Sequence, residues 1–348
     1  MPPLRAMSEL LHLERLKEGK VLLAYSGGAD STALFHLLVA HNIDFDIAHV
    51  NYQTRPTSDS EAAAAEDNAR RFGRTCHTTI CRLGGSNFEH RAREERYRFF
   101  GYLIRTHHYS YLLTAHQLND RLEWLMMQLC RGSGLPELLG IRSYDERDGI
   151  KILRPLLEWD RNAIEAYLHE HSLPYFIDES NADERYTRNF FRHRFSAPIM
   201  REYTEAIRRS FRYLEEDRDL LIQPIAFDRI EQLYYARNGF NRRSLVQAID
   251  ALFKSLGYVL RSKDRLSLKE ERCCLIVGRE YVVSVEEEYT FVTPYVSNVV
   301  MDKGFKEECR KRSIEPKLRG YLYGNSPAWE VMRRLKDVQG RPQSGILR

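Results

Sequence analysis

The chain has 348 residues, of which 43% are hydrophobic and 29% charged, and its formal net charge is +4. This length allows two or three domains with ample cores, and the composition is that of an ordinary soluble protein. No apolar stretch approaches the roughly 18–20 residues that span a bilayer, and no apolar signal-peptide region follows Met1. We therefore expect a cytoplasmic protein without a membrane partner. The six cysteines form no C-x-x-C pair, which excludes the usual disulfide framework or zinc site.

Strands and helices alternate in the first half of the sequence. The predicted strands are short apolar runs at Lys20–Tyr25, Asp46–Asn51, Thr75–Ile80 and Tyr109–Ala115. The predicted helices lie between and after them, at Ser31–His41, Ser60–Phe72, Phe88–Thr106 and Leu118–Arg131. This alternation predicts an α/β fold with a doubly wound parallel sheet, whose ligands bind at the carboxyl ends of the strands.

The middle of the chain is expected to be mainly helical. Asp160 is a suitable N-cap for a helix that ends near His171, and Pro198 is expected to open a long helix to Leu221. The polar segment Phe176–Asn189 between them is predicted to be a loop near the site. We place a domain boundary within this helical linker, giving a catalytic domain over residues 1–218.

Residues 219–348 are expected to form a smaller α+β domain. Residues 227–258 are predicted to be helical, and the Tyr-, Val- and Thr-rich residues 258–300 to form a small β element. The tail after residue 303 is basic and has no clear period. We expect this region to contact the nucleic acid proposed below.

A Ser/Gly-rich turn joins the first predicted strand to the first predicted helix. Its residues are Ser26, Gly27, Gly28, Ala29, Asp30 and Ser31. At such a position the first helical N–H groups have no intrahelical partner, and glycines let the backbone approach an anion closely. The turn therefore predicts a site for phosphate or pyrophosphate. It lacks the spacing of a Walker loop or of a dinucleotide fingerprint, and Asp30 would repel a phosphate unless a metal ion or a helix start lies nearby.

Two further segments end predicted strands at the same edge of the sheet. His49 and Asn51 lie at the end of the second strand and Arg55 follows it, and these residues are suited to contact a base or a phosphate. After the fourth strand, His116, Asp120 and Glu123 have i, i+4 and i+7 spacing, so they share one face of a helix. Two carboxylates on one face near a phosphate site suit Mg²⁺ or a substrate ammonium group.

Arginine and aromatic residues are interleaved farther along the chain. Eight arginines lie between Arg185 and Arg212 against Glu202 and Glu205, with phenylalanines and tyrosines among them. This mixture favours RNA over a membrane surface. The alternative is a solvated helix face with its aromatic side chains in the core. A second basic helix, Arg91–Phe100, carries Arg93 and an aromatic stripe that is expected to be buried.

Taken in order, these motifs resemble the tRNA(Ile)-lysidine synthetase family of PP-loop ATP pyrophosphatases. The matching strings are SGGADS, HVNYQTR with SDSEA, AREERY, LTAHQLNDRLE, RGSGL, RPLL and DESN followed by YTRNFFRHR. They cover about residues 18–215. The resemblance implies a PP-loop, Rossmann-like fold and an enzyme that adenylates carbon 2 of the wobble cytidine in a CAU-anticodon tRNA(Ile). The ε-amine of L-lysine then displaces AMP, and the product is lysidine.

The resemblance also implies roles for individual residues. Ser26 to Ser31 would hold the phosphates of ATP beside His49 and Asn51, with Asp30 near Mg²⁺. Arg93 would lie near the adenylate, and His116, Asp120 and Glu123 near the lysine. The residues expected to face the tRNA are Arg55, Asp178, Asn181, Arg188, Asn189 and Arg192.

This sequence departs from the family pattern at Tyr52, Gln117, Asn119 and Trp124. Asn119 replaces a carboxylate, which weakens the metal assignment. Either His116 or a carboxylate could take the proton from lysine, and both a monomer and a homodimer remain open. Two other functions compete: a PP-loop tRNA sulfur transferase, which would need thiols, and a tRNA-binding protein that has lost catalysis.

Overall fold

A computed structural model of the chain describes residues 9–54, 56–83, 88–177, 186–239, 241–270 and 272–337. The chain forms two compact units, Met1–Glu216 and Asp217–Arg348. Within the described ranges, no helix is both long and apolar enough to cross a membrane.

The first unit is built on a six-stranded sheet with the order β3-β2-β1-β4-β6-β5. The strands are β1 (Val21–Ala24), β2 (Phe45–Asn51), β3 (Cys76–Ile80), β4 (Leu112–Leu113), β5 (Tyr144–Arg147) and β6 (Ile150–Leu153). Strands β1, β2, β3, β4 and β6 pair in parallel, and β5 pairs antiparallel to β6 at one edge. The expected doubly wound parallel sheet is confirmed.

The sequence reading missed the hairpin of β5 and β6. Asp148 and Gly149 join these four-residue strands with positive φ values of 52° and 75°. Positive φ at both central residues is typical of a type I′ turn, for which Asp-Gly is a strong signal. The dipeptide could therefore have revealed the hairpin, but its strands are too short to show a clear period.

Helices cover both faces of this sheet. They are α1 (Leu13–Leu16), α2 (Ala29–Ala40), α3 (Ser58–Arg71), α4 (Phe88–His107), α5 (Leu118–Cys130), α6 (Leu135–Leu138) and α7 (Arg161–Glu170). Neighbouring residues of β1 serve opposite faces: Leu23 packs in one core with Phe35 of α2, and Leu22 packs in another with Phe100 of α4. Burial on both faces explains why the strands read as continuous apolar runs.

A long helical run closes the first unit and begins earlier than expected. It consists of α8 (Thr187–Phe191), a π-helical turn (Arg192–Ser196) and α9 (Ala197–Leu221). Pro198, expected to be the first helical residue, instead lies inside the run. Proline has no N–H to offer to the carbonyl of Arg194, and a wider π turn accommodates this loss.

The second unit contains a five-stranded antiparallel sheet with the order β7-β8-β11-β10-β9. The strands are β7 (Asp228–Ile230), β8 (Leu233–Arg237), β9 (Cys273–Val277), β10 (Tyr281–Val285) and β11 (Tyr289–Pro294). The helices are α10 (Arg242–Ser255), α11 (Ser262–Ser267), α12 (Lys303–Lys311), α13 (Arg319–Tyr323) and α14 (Ser326–Leu335).

The expected β element at 258–300 is confirmed, whereas the helix expected over residues 227–258 is present only from Arg242 to Ser255. Residues 228–237 form a hairpin and not the start of a helix, because their apolar side chains pack into the cores of the antiparallel sheet. The tail after residue 303 is helical, with Cys309 and Met332 fully buried. Its many charged residues obscured this apolar face in the sequence.

Candidate active site

The turn between β1 and α2 has the geometry of an anion-binding loop. Gly27 has a φ of +79°, and Gly28 is the N-cap of α2 with an extended backbone. The first N–H groups of α2 therefore have no partner within the helix. The hydroxyl of Ser31 donates to the carbonyl of Gly28 at 3.1 Å and lies 3.1 Å from the hydroxyl of Ser26. These bonds fix the loop so that its N–H groups can converge on a phosphate.

Phe176 links the segment after α7 to this loop. Its backbone N–H donates to the carbonyl of Gly27 at 2.9 Å, and Phe176 forms an isolated parallel bridge with Gly28. A Cβ atom on Gly27 would lie 3.1 Å from the Phe176 ring. The positive φ favours glycine at position 27, and a side chain there would also crowd the Phe176 ring. Phe176 is thus held directly beside the loop.

The start of α5 holds the second group of expected site residues. Gln117 is the N-cap, and its side chain accepts from the N–H of Asn119 at 2.6 Å. The carboxylate of Asp120 accepts from the N–H of Gln117 at 2.9 Å, which completes a capping box. This local bonding fixes one oxygen of Asp120 at the carboxyl edge of the sheet, next to His116.

Two arginines from the long helical run neutralise the carboxylates of α5. Arg188 donates from Nη2 to Asp120 at 2.6 Å and from Nε to Glu123 at 2.9 Å. Arg192 donates from Nε to the other oxygen of Glu123 at 2.7 Å. Glu123 is 1% exposed. The structure therefore brings together Asp120, Glu123, Arg188 and Arg192, although the sequence assigned the acids to lysine and the arginines to tRNA.

The protonation states of this cluster follow from burial and charge. Burial would raise the pKa of Asp120, but the charge of Arg188, the hydrogen bond from the Gln117 N–H and the charge of Arg192 hold this pKa below its usual value. Burial lowers the pKa of His116, and nearby Arg154, Arg188 and Arg93 act in the same direction against Asp120. His116 is therefore a neutral imidazole near pH 7, with Nδ1 2.9 Å from the Thr114 hydroxyl.

Asp30 is the carboxylate of this site whose ionised form is disfavoured by its surroundings. Burial, and then the charge of Asp120, raise its pKa to about 7, while Arg161 and Arg192 oppose the shift. A carboxylate near other carboxylates is stabilised by a bound cation. Among the described residues, no group of three or more His, Cys, Asp or Glu could hold a metal ion. A cation here would need ligands besides protein carboxylates.

Arg93 lies on α4 beside a second guanidinium. Its Cζ is 5.0 Å from the centroid of the Tyr97 ring, and the Cζ of Arg147 is 4.7 Å from the same centroid. Burial, followed by like charges that include Arg147 and Arg154, lowers the pKa of Arg93. Two guanidiniums on one aromatic ring form a cationic wall suited to an anionic group.

His49 and Asn51 make structural bonds at the end of β2. Nδ1 of His49 lies 3.1 Å from the carbonyl of Tyr25, which can only accept, so this nitrogen carries the proton. The amide of Asn51 donates to Asp59 at 2.8 Å and accepts from the N–H of Gln53 at 2.9 Å. These contacts fix the loop after β2. A contact of either residue with nucleotide stays a prediction.

Three expected site residues, Arg55, Asp178 and Asn181, lie outside the described residues. Asn189 is buried, with 8% of its surface exposed, within α8. Sequence reasoning missed two arginines that influence the site, Arg154 and Arg161. Arg154 directly follows β6 at the carboxyl edge of the sheet. The Asp-Gly turn predicts the hairpin that contains β6, and so it could have indicated that Arg154 lies at this edge.

Three of the side chains that depart from the family pattern form hydrogen bonds to other parts of the first unit. The Asn119 side chain accepts from the N–H of Arg161 at 3.1 Å and so caps α7 from another helix. Tyr52 donates to the carbonyl of Ala92 at 3.0 Å, and Trp124 donates to the carbonyl of Glu137 at 2.7 Å. All three side chains connect elements around the site, which indicates structural roles.

Comparison with known proteins shows the same family along most of the chain. The sequence model of the PP-loop domain matches residues 4–198. A tRNA(Ile)-lysidine synthase of Wolinella succinogenes is 41% identical over 315 residues, covering 90% of this chain and 96% of the relative. The chain belongs to the tRNA(Ile)-lysidine synthase family. A relative with that name from Helicobacter pylori strain J99 is 34% identical over 329 residues, covering 93% of this chain and 96% of its own length.

A solved structure supports the fold of the first unit. The U34-tRNA thiolase NcsA from Methanococcus maripaludis has a TM-score of 0.50 and 18% identity, covering 61% of this chain and 76% of its own. At this identity the likeness concerns the fold alone. Membership of the PP-loop family implies that this chain uses ATP.

Proposed function

We propose that this chain ligates L-lysine to carbon 2 of the wobble cytidine in a CAU-anticodon tRNA(Ile). ATP first adenylates the base and pyrophosphate leaves; the ε-amine of lysine then attacks and AMP leaves. The observation that carries this proposal is similarity to named tRNA(Ile)-lysidine synthases over 90% or more of the chain. Those relatives favour lysidine formation over sulfur transfer and over a tRNA-binding protein without catalysis.

The first step needs stabilisation of negative charge on the phosphates. The free N–H groups at the start of α2, after Gly27 and Gly28, are placed to bind them. Asp30 fits as a ligand of Mg²⁺, which usually takes one or two carboxylates together with substrate phosphates. Bound there, Mg²⁺ would neutralise phosphate charge. The oxygens of Asp120 and Glu123 are already engaged by arginines, so Asp30 is the main protein ligand proposed.

The second step needs a neutral ε-amine, although lysine is normally protonated near pH 7. We propose that the charged residues around His116 lower the pKa of this amine. The nearby guanidiniums of Arg93, Arg154 and Arg188 already act against a positive charge at His116. They would disfavour an ammonium group for the same reason. A neutral His116 can accept a hydrogen bond from the amine and help to orient it.

Residues 219–348 are proposed to bind the body of the tRNA, and 1–218 to form the catalytic domain. Exposed lysines and arginines on α12 and α14 would contribute phosphate contacts, including Lys303, Lys306, Arg310, Arg333 and Arg334. The proposed substrates place the reaction in the cytoplasm.

The affinity for ATP in the presence of Mg²⁺ should depend on the protonation of Asp30. Its pKa of about 7 means that binding a cation releases a proton below that pH. We expect affinity to rise about tenfold per pH unit below pH 7 and to level off above it. Calorimetric titrations between about pH 5.5 and 8.5 test this. Asp30→Asn is the control, because protonation of the nucleotide affects its binding to both proteins in the same way. Equal pH profiles for the variant and the parent protein would therefore refute the assignment.

The Arg192→Ala variant tests the expected contact of Arg192 with tRNA. If Arg192 also neutralises a phosphate, the variant should bind tRNA more weakly, and the slope of log affinity against log salt should fall by about one. Filter binding at several salt concentrations measures both quantities. An unchanged slope would remove Arg192 from the RNA path.

Incorporation of labelled lysine tests the proposed function as a whole. The substrate is an unmodified CAU-anticodon isoleucine tRNA transcript with ATP and Mg²⁺, and methionine tRNA is the control. We expect incorporation into the isoleucine tRNA only, together with one AMP and one pyrophosphate per lysine. A folded protein that binds ATP but incorporates no lysine would refute the proposal.

A further inference from the structure

Three phenylalanines form an aromatic cluster at the start of the long helical run. Phe190, Phe191 and Phe195 lie with ring centroids 5.6–5.8 Å apart. Phe190 is nevertheless 40% exposed and Phe195 42% exposed. Phenylalanines usually bury much more of their surface, and an exposed apolar group with polar neighbours often marks an interaction site.

The cluster belongs to the helical segment whose arginines contact α5. Phe190 stands between Arg188 and Arg192, both of which bond to Glu123. The π turn at Arg192–Ser196 then carries Phe195. The exposed rings are therefore within about one helical turn of the residues that contact the proposed site.

Charge around the cluster selects the kind of partner. Residues 186–201 contain four arginines and no aspartate or glutamate. Two of these arginines, Arg188 and Arg192, are neutralised by α5, whereas Arg201 is exposed. An aromatic surface in an acid-free, arginine-bearing segment is complementary to the base and phosphate of a single-stranded nucleotide.

We propose that Phe190 and Phe195 hold one unstacked base of the tRNA anticodon loop, a neighbour of the cytidine that reacts. This inference rests on the proposed function. The two rings meet at 68°, so they form a corner. A base stacked on one ring presents its edge to the other, and fixing this base outside the stack would help to deliver the adjacent cytidine.

The corner should contribute affinity without reading the identity of the base, because every base has a π face. We expect Phe190→Leu to raise the Kd for a CAU anticodon stem-loop about 5- to 100-fold. Phe190→Trp, which restores an aromatic face, should stay within about threefold of the parent protein. The matched control is Tyr102→Leu, an exposed aromatic residue on α4, which should have no effect.

Stem-loops with an abasic nucleotide on either side of the cytidine identify the base. At one of these positions the abasic change should weaken binding to the parent protein as much as Phe190→Leu does. Combining that stem-loop with Phe190→Leu should then add no further loss. Melting curves verify that each full-length variant is folded.

Three binding results would each overturn the proposed contact of this aromatic corner with a base. One is a Kd unchanged by Phe190→Leu. Another is equal loss with leucine and tryptophan, and the third is full additivity with both abasic stem-loops. If Phe190→Leu instead dissociates a homodimer in sedimentation, the cluster is an interface between copies and the inference is wrong. Lysine incorporation by the parent protein separates this test from that of the proposed function.

Discussion

Replacing Glu123 with glutamine is expected to destabilise the first unit and to abolish most of the ligase activity. Glu123 is 1% exposed and accepts from Nε of Arg192 at 2.7 Å and Nε of Arg188 at 2.9 Å. The amide of glutamine would present N–H groups to one of these donors and leave two guanidiniums with less compensation. Breaking such a buried pair costs about 3–5 kcal/mol of unfolding free energy.

Thermal melting and lysine incorporation measure the two parts of this expectation. In a unit of this size, such a loss lowers Tm by roughly 6–20 °C. Glu14→Gln is the matched control, because its pair with Lys17 is exposed and should contribute less than about 1 kcal/mol.

A double variant separates electrostatics from packing. Adding Arg192→Met to Glu123→Gln removes one uncompensated guanidinium, so Tm should partly recover while activity does not. A Glu123→Gln protein as stable as the parent would show that the carboxylate does not hold the arginines.

Replacing Asp30 with alanine or asparagine is expected to abolish adenylation while tRNA binding survives. Its carboxylate is the proposed ligand of Mg²⁺, and loss of a group that stabilises developing charge lowers kcat by about 10²- to 10³-fold or more. Pyrophosphate release with the cognate tRNA measures the step, and filter binding measures the affinity for tRNA. Parallel loss of tRNA binding would contradict this role.

Stability should change in the opposite direction to activity. The folded pKa of Asp30 is raised to about 7 from 3.8, so the ionised carboxylate disfavours folding without a bound cation. The free energy of unfolding therefore falls as pH rises from about 4 to 7, and the loss persists above that range. Asp30→Asn removes this loss, so at pH 8 we expect an unfolding free energy at or above that of the parent. Asp67→Asn, on the exposed face of α3, is the control.

Much of the molecule could be inferred from local sequence patterns. The parallel sheet followed from the alternation of apolar runs with amphipathic segments. The turn that we propose to bind phosphate followed from Ser26-Gly27-Gly28, because glycines just before a helix start let backbone N–H groups approach an anion closely. The capping box at Gln117 and Asp120 is equally local, since its partners are three residues apart.

The sequence could not show which charged residues form ion pairs across long stretches of chain. Arg188 is 68 residues from Asp120, and Arg192 is 69 from Glu123. Each residue type alone was consistent with contact to lysine, metal or RNA. Only the packing of the helical run against α5 decided that these acids and arginines bind one another.

The sequence by itself determined the class of sheet and the family of the enzyme, and it indicated the edge at which we propose that ligands bind. The tertiary structure decided which charges in that edge are neutralised. It leaves Asp30 as the carboxylate with a raised pKa and His116 as a neutral imidazole. The physical reason is that local geometry follows from neighbouring residues, whereas burial and ion pairing depend on distant residues that only folding brings together.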